Sequence, residues 1–206
     1  HIAAFKKPII LSTGMNDLNS IRPAVEIFRK HHIPYALMHT TNIYPTPDRL
    51  VRLGAMTELQ ETFDDAVVGL SDHTTTNHAC FGSVALGASI LERHFTDSMT
   101  REGPDIINSM DPLAAQELIF GANTIFEQRG GSKGPVEEEI PTIQFAFASV
   151  VSINNIRKGE IFSKENLWVK RPGTGEILAV DYESILGKRA MNDILSGQQL
   201  KLEDIQ

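Results

Sequence analysis

The 206-residue sequence predicts an α/β fold, a parallel sheet buried on both faces, followed by a small β-rich domain. Three observations carry that expectation. Between residues 8 and 127 one pattern repeats four times: a short apolar or β-branched run, a polar cluster, then a longer stretch of helical periodicity. Every strand candidate runs straight into polar residues, so the polar clusters gather at the C-terminal strand ends. Over residues 128–142 the periodicity stops, and beyond them the composition changes.

The first strand candidate, Pro8 to Leu11, ends in Ser12-Thr13-Gly14, and the helix after it carries Ile21, Val25 and Phe28 on one stripe. The second, Tyr35 to His39, ends in Thr40-Thr41-Asn42, and Thr46 before Pro47 offers a cap and first-turn proline to the next helix. Ala66 to Leu70 leads into Ser71-Asp72-His73, and Ser89 to Arg93 leads into His94-Phe95-Thr96. A last helix begins at Asp111-Pro112 and carries Leu118, Ala122 and Ile125 at helical spacing. A closed barrel and an open doubly wound sheet both accommodate this order. Residues 1–127 therefore read as one α/β unit and residues 128–142, with Glu137-Glu138-Glu139, as a linker. Residues 143–206 read as a second domain, with strand candidates Phe145 to Val151, Leu167 to Val169 and Ile177 to Val180. Inside it, Ile156-Arg-Lys-Gly-Glu-Ile-Phe-Ser-Lys-Glu-Asn-Leu167 resembles Ile194-Leu-Ser-Gly-Gln-Gln-Leu-Lys-Leu-Glu-Asp-Ile205, which predicts an internal pseudo-twofold.

The net charge of -7 is spread out, and no Lys/Arg run is dense enough to follow a phosphate backbone, so nucleic acid is not an expected partner. No apolar run approaches the roughly 20 residues of a membrane span, and the start lacks a signal-peptide pattern. A lone cysteine, Cys80, excludes an internal disulfide and fits a buried apolar role in a reducing, cytoplasmic setting. The chain opens on His1 and enters a strand almost at once, as expected of a segment of a longer protein.

Strand alternation puts Ser71 and His73 on one face with Asp72 opposed, and puts His94 on the face of Glu92. Adjacent strands lie about 4.8 Å apart, so two imidazoles at equal height can share one divalent ion, with water and substrate in its open positions. On position alone, a metal role and a structural role for this pair weigh the same. His31, His32, His39 and His78 are assigned to surface or structural roles. Ser12, Thr13 and Gly14 suit a phosphate or carboxylate, or else a helix cap. Asp105 can accept sugar hydroxyls or simply form a turn, and Asn42 and Tyr44 offer a polar reach and an aromatic platform. Arg171, in Lys170-Arg171-Pro-Gly-Thr-Gly175, presents a guanidinium to a carboxylate, phosphate or sugar oxygen, or is a plain surface arginine. Trp168 is expected in the small domain's core.

Five motifs in order, Ile10-Leu-Ser-Thr-Gly-Met15, Thr41-Asn-Ile-Tyr-Pro-Thr46, Leu70-Ser-Asp-His-Thr74, Leu91-Glu-Arg-His-Phe-Thr96 and Lys170-Arg-Pro-Gly-Thr-Gly175, resemble the sialic acid synthase family along essentially the whole chain. The second motif is most similar to bacterial N-acetylneuraminate synthases. The resemblance implies a (β/α)8 TIM barrel, of which this chain holds the C-terminal half, followed by an antifreeze-like (SAF, β-clip) domain. It implies condensation of phosphoenolpyruvate with N-acetylmannosamine and water to N-acetylneuraminate and phosphate. The implied cofactor is a divalent metal, Mn2+ by preference with Mg2+ or Co2+ possible, and no nucleotide or flavin.

Carried over by residue, His73 and His94 hold that metal, a Lewis acid for the aldehyde of the open-chain sugar. Ser12, Asn42 and Ser71 bind the phosphate and carboxylate of phosphoenolpyruvate, while Tyr44 and the catalytic-site Asp105 orient the amino sugar; Glu92 stands at most behind them. Arg171 meets the N-acetyl group from the other subunit of a domain-swapped homodimer. The family's first four βα units, with their lysines and glutamates, are absent, so these 206 residues alone are expected to be inactive. Two alternatives remain: a legionaminic or pseudaminic acid synthase using a modified six-carbon sugar, and a non-catalytic carbohydrate-binding module.

Overall fold

A computed structural model describes all of residues 1–206, and the chain divides into two units, His1–Gly131 and Ser132–Gln206. The first unit holds one all-parallel sheet in sequential order, β1 (Ile9–Ser12), β2 (Tyr35–Thr40), β3 (Val67–Asp72) and β4 (Ile90–Arg93). Its helices are α1 (Leu18–Lys30), α2 (Leu53–Thr62), α3 (His78–Ala85) and α4 (Pro112–Gln128). The strand order never reverses, whereas a doubly wound sheet must reverse to place helices on both faces. The register gives one face Ile10, Ser12, Ala36, Met38, Gly69, Ser71 and Glu92. The opposite face sends Leu37 and Val68 into a core with Ile21, Val25 and Phe28 of α1 and Met56 and Leu59 of α2. The helices thus cover the outward face, which is half-barrel winding and resolves the choice left open by periodicity.

Local chemistry explains the helix starts. Asp17 accepts the Ser20 N–H at 2.8 Å while the Ser20 hydroxyl takes the Asp17 N–H at 3.0 Å, a reciprocal cap on α1. Burying Ile21, Val25 and Phe28 then contributes about 1.5–3 kcal/mol each, an upper estimate. Asp111 caps α4 through the Ala114 N–H at 2.8 Å, with Pro112 in the first turn. The expected cap by Thr46 does not form. Its hydroxyl donates instead to the carbonyls of Thr41 (3.0 Å) and Ile43 (2.7 Å), Asp48–Leu50 makes a 3-10 turn, and α2 starts only after Arg52, whose φ is 53°.

The second unit comprises α5 (Ile140–Ala146), the antiparallel pair β5 (Ser149–Ser152) and β6 (Leu167–Lys170), and α6 (Tyr182–Ile185). The expected repeat is built into its hydrogen bonds, each residue mapping onto the one 38 positions later. Ile156 and Ile194 exchange N–H···O=C bonds at 2.8 Å each, and Gly159 N–H to Ala190 (2.7 Å) has its counterpart in Gly197 N–H to Ser152 (2.8 Å). Both glycines adopt positive φ, 83° and 86°, at equivalent turns. Within residues 128–142, Glu137–Glu139 form a 3-10 turn and α5 begins at Ile140. Three expectations fail in the second unit. The strand expected from Phe145 begins at Ser149, and Ile177 to Val180 runs into a 3-10 turn at Ala179–Asp181. Trp168 is 52% exposed, edge-on to Tyr182, because it lies on the face of β6 turned away from Leu167 and its core.

Candidate metal and substrate site

β3 and β4 pair Ser71 with Glu92 and Asp72 with Arg93, so the next residue of each strand, His73 and His94, emerges at the same height. Their ring centroids are 5.3 Å apart. His73 is buried, and its Nδ1 lies 3.1 Å from the Thr41 carbonyl. A carbonyl only accepts, so Nδ1 carries the proton and the Nε2 lone pair is left free. The backbone is clamped as well: the His73 carbonyl accepts from Thr46 N–H and the His94 carbonyl from Met110 N–H, both at 2.9 Å. The ring of Tyr44 lies over His73 at 4.1 Å and meets His94 edge-on at 5.8 Å.

A cavity of about 80 Å³ is lined by Ser71, His73, Glu92, Arg93 and His94. With liquid water occupying about 30 Å³ per molecule, that is room for an ion and its waters but not for a sugar. His73 and His94 offer two imidazoles that could share a borderline divalent cation, and no group of three or more His, Cys, Asp or Glu side chains that could hold a metal ion is present.

The other sequence candidates are distributed around this pair. Ser71 is buried on the same face, in the cavity wall. Ser12 is exposed on that face of β1. Asn42 adjoins the Ser12–Gly14 loop so closely that a Cβ on Gly14 would stand 2.6 Å from its Oδ1, while Thr13 spends its hydroxyl on the Met38 carbonyl at 2.9 Å. Asp105 is exposed ahead of a 3-10 turn at Ile106–Asn108. Neither Ser12, Asn42 nor Asp105 lines the cavity between the histidines. Arg171 is exposed in the second unit, just past β6.

Sequence reading missed the residues that hold the pair. The Thr41 carbonyl and Thr46 N–H leave no side-chain signature. The buried Asp72–Arg93 ion pair was foreshadowed only by strand parity. A larger cavity of about 570 Å³ lies elsewhere in the first unit, with His39, Arg52 and Glu58 in its wall. His39 is a structural histidine, as expected: its Nε2 donates to the Val51 carbonyl at 2.7 Å and burial lowers its pKa. No helix is long and apolar enough to cross a membrane.

Residues 1–134 match the NeuB family and residues 147–206 the SAF domain. The N,N'-diacetyllegionaminic acid synthase of Campylobacter jejuni is 40% identical over 193 residues, 92% of this chain and 57% of that protein. Among solved structures, spore coat polysaccharide biosynthesis protein SpsE of Bacillus subtilis aligns with a TM-score of 0.59 at 28% identity, over 100% of this chain and 63% of its own. The N-acetylneuraminic acid synthetase of Leptospira borgpetersenii, solved with citrate, aligns with a TM-score of 0.65 at 30% identity, over 69% of this chain and 50% of its own. The chain spans less than two thirds of each of these proteins.

Proposed function

The chain belongs to the NeuB family and carries a SAF domain, and from that premise we propose that it is part of a synthase joining phosphoenolpyruvate to an N-acetylated six-carbon sugar aldehyde, releasing phosphate. The observation that carries the proposal is the His73–His94 pair, with His73 fixed in the tautomer that frees Nε2. His73 and His94 would hold a divalent ion, Mn2+ in the first instance, which supplies Lewis acidity for the sugar aldehyde. Ser71, in the wall beside them, and Ser12 and Asn42, at the ends of β1 and β2, bind the phosphate and carboxylate of phosphoenolpyruvate. Tyr44 shields one flank of the imidazoles and orients the sugar together with Asp105. Arg171 reaches the N-acetyl group across a swapped homodimer, in the cytoplasm where phosphoenolpyruvate is made.

Two sugars fit this class. N-acetylmannosamine, giving N-acetylneuraminate, follows from the Asn42–Thr46 motif and agrees with the likeness to the Leptospira synthetase. A diacetamido sugar, giving a legionaminic acid, has the higher identity behind it, 40%. Product mass spectrometry on the complete natural polypeptide containing these residues, with phosphoenolpyruvate and each sugar in turn, separates them. A nine-carbon keto acid with either sugar supports the class, and turnover with only the diacetamido sugar selects the second reading. Phosphate release with neither would sink the class. Arg171→Ala is expected to raise KM for the sugar far more than KM for phosphoenolpyruvate.

A further inference from the structure

We infer that the buried Asp72–Arg93 pair is a positioning device that holds the ends of β3 and β4 in register and so keeps His73 and His94 at one height. The inference rests on the metal-pair reading above. Asp72 precedes His73 and Arg93 precedes His94, and the two are register partners, so both side chains leave the sheet on the face opposite the imidazoles. Both side chains are only 1% exposed, with Arg93 Nε 3.4 Å from Asp72 Oδ2. Nε has no aligned hydrogen bond, so this contact is one of charge rather than of hydrogen bonding. The directional bonds go to the loop after β3. Arg93 donates to Asn77 Oδ1 and to the Thr74 carbonyl, both at 2.6 Å. Asp72 accepts the Thr74 N–H and hydroxyl, both at 2.9 Å.

Stability does not explain the pair, because buried ion pairs are often matched or bettered by apolar residues of equal volume. Register does. A one-residue slip of β4 would turn His94 outward, bring Arg93 to the inner face and strand the Asp72 carboxylate unpaired in a buried site. The ion pair thus penalises the one misalignment that would separate the imidazoles. Only a planar fork reaches Asn77 and Thr74 together, which makes arginine specific here.

The test uses the complete natural polypeptide and four variants: Asp72→Asn, Arg93→Lys, the apolar double variant Asp72→Leu/Arg93→Met, and His73→Ala as control. Mn2+ affinity is measured by electron paramagnetic resonance, alongside thermal unfolding, kcat and KM. Outer partners of metal ligands typically affect affinity about 10–100-fold. The expected result is a Kd for Mn2+ raised at least about tenfold in the folded pair variants, the double variant included, with KM for phosphoenolpyruvate held near wild type. Folded pair variants that bind Mn2+ within about twofold of wild type, while His73→Ala loses it, would overturn the inference. Failure of every pair variant to fold would assign the pair to stability and overturn it equally. If His73→Ala also binds normally, the metal reading itself falls and takes this inference with it.

Discussion

His73 and His94 are held differently: His73 is buried and bonded through Nδ1, while His94 is partly exposed and fixed through its backbone. If the proposed metal site is right, removing either would leave a single nitrogen ligand, so His73→Ala and His94→Ala should each weaken Mn2+ binding by at least about tenfold and lower kcat in step. Unchanged affinity and turnover in the complete protein would leave only a binding-module role. A second residue-scale prediction concerns Cys80, whose thiol is pushed up to about 12 by burial first and by the Asp72 charge second. A group raised in the folded state favours its protonated form there. Its contribution is fully present below the unfolded value near 9 and is lost as pH rises toward 12. At pH 8 a thiol reagent should therefore label Cys80 in denaturant but not in the native protein, and equal labelling would refute that burial. The two histidines and Ser71 were readable from strand parity, which depends only on side-chain order. The Thr41 carbonyl that sets the His73 tautomer was not, since a backbone carbonyl's direction is a property of the loop's path and not of a residue type.

The elements are as sensitive as the site. Gly69 of β3 faces inward between β2 and β4: a Cβ there would stand 2.5 Å from the Ile90 carbonyl oxygen and 2.7 Å from Met38 Sδ. Met38 can swing away, but the carbonyl belongs to the neighbouring strand. Gly69→Ala should therefore cost about 1–3 kcal/mol in denaturant unfolding, and a neutral result would mean that β4 yields freely. Asp111→Ala removes the bond to the Ala114 N–H and should cost about 1 kcal/mol, with Asp111→Ser recovering most of it. The cores of β1 to β4 were legible because they are short apolar runs, and Asp111 announced its helix by residue type, whereas the Asp17 cap emerged only from the structure. α2 was misplaced because Thr46 had two competing uses, and its hydroxyl bonded back into the loop rather than capping a helix. The small unit's strands were overextended because an apolar run reads alike as strand, turn or short helix.

At the scale of the whole chain the two units contrast in how their backbone pairing closes, while both expose large apolar side chains, Phe145 and Val180 of the second among them. The core of the second is internal to it: Val150, Ile156, Phe162, Leu167, Ile177, Ile194 and Leu200 pack together, and the paired halves close on each other through Ile156 and Ile194. The first has β1 and β4 as unpaired edges, with Ile10 62% and Phe95 59% exposed and Leu113 and Phe120 of α4 also turned to solvent. The 38-residue repeat made the second unit's closure visible in advance, whereas nothing in the order of βα units says how far a sheet continues. Produced separately, residues 132–206 should unfold in one sharp thermal transition that does not move with protein concentration. Residues 1–131 should bind a hydrophobic dye and associate as concentration rises, because the open edges of β1 and β4 and exposed apolar side chains such as Ile10 and Phe120 find partners in each other. Sedimentation of the two pieces decides this. A monomeric first unit that binds no dye would show that four strands satisfy themselves, and a second unit without a cooperative transition would show that its core depends on residues outside it.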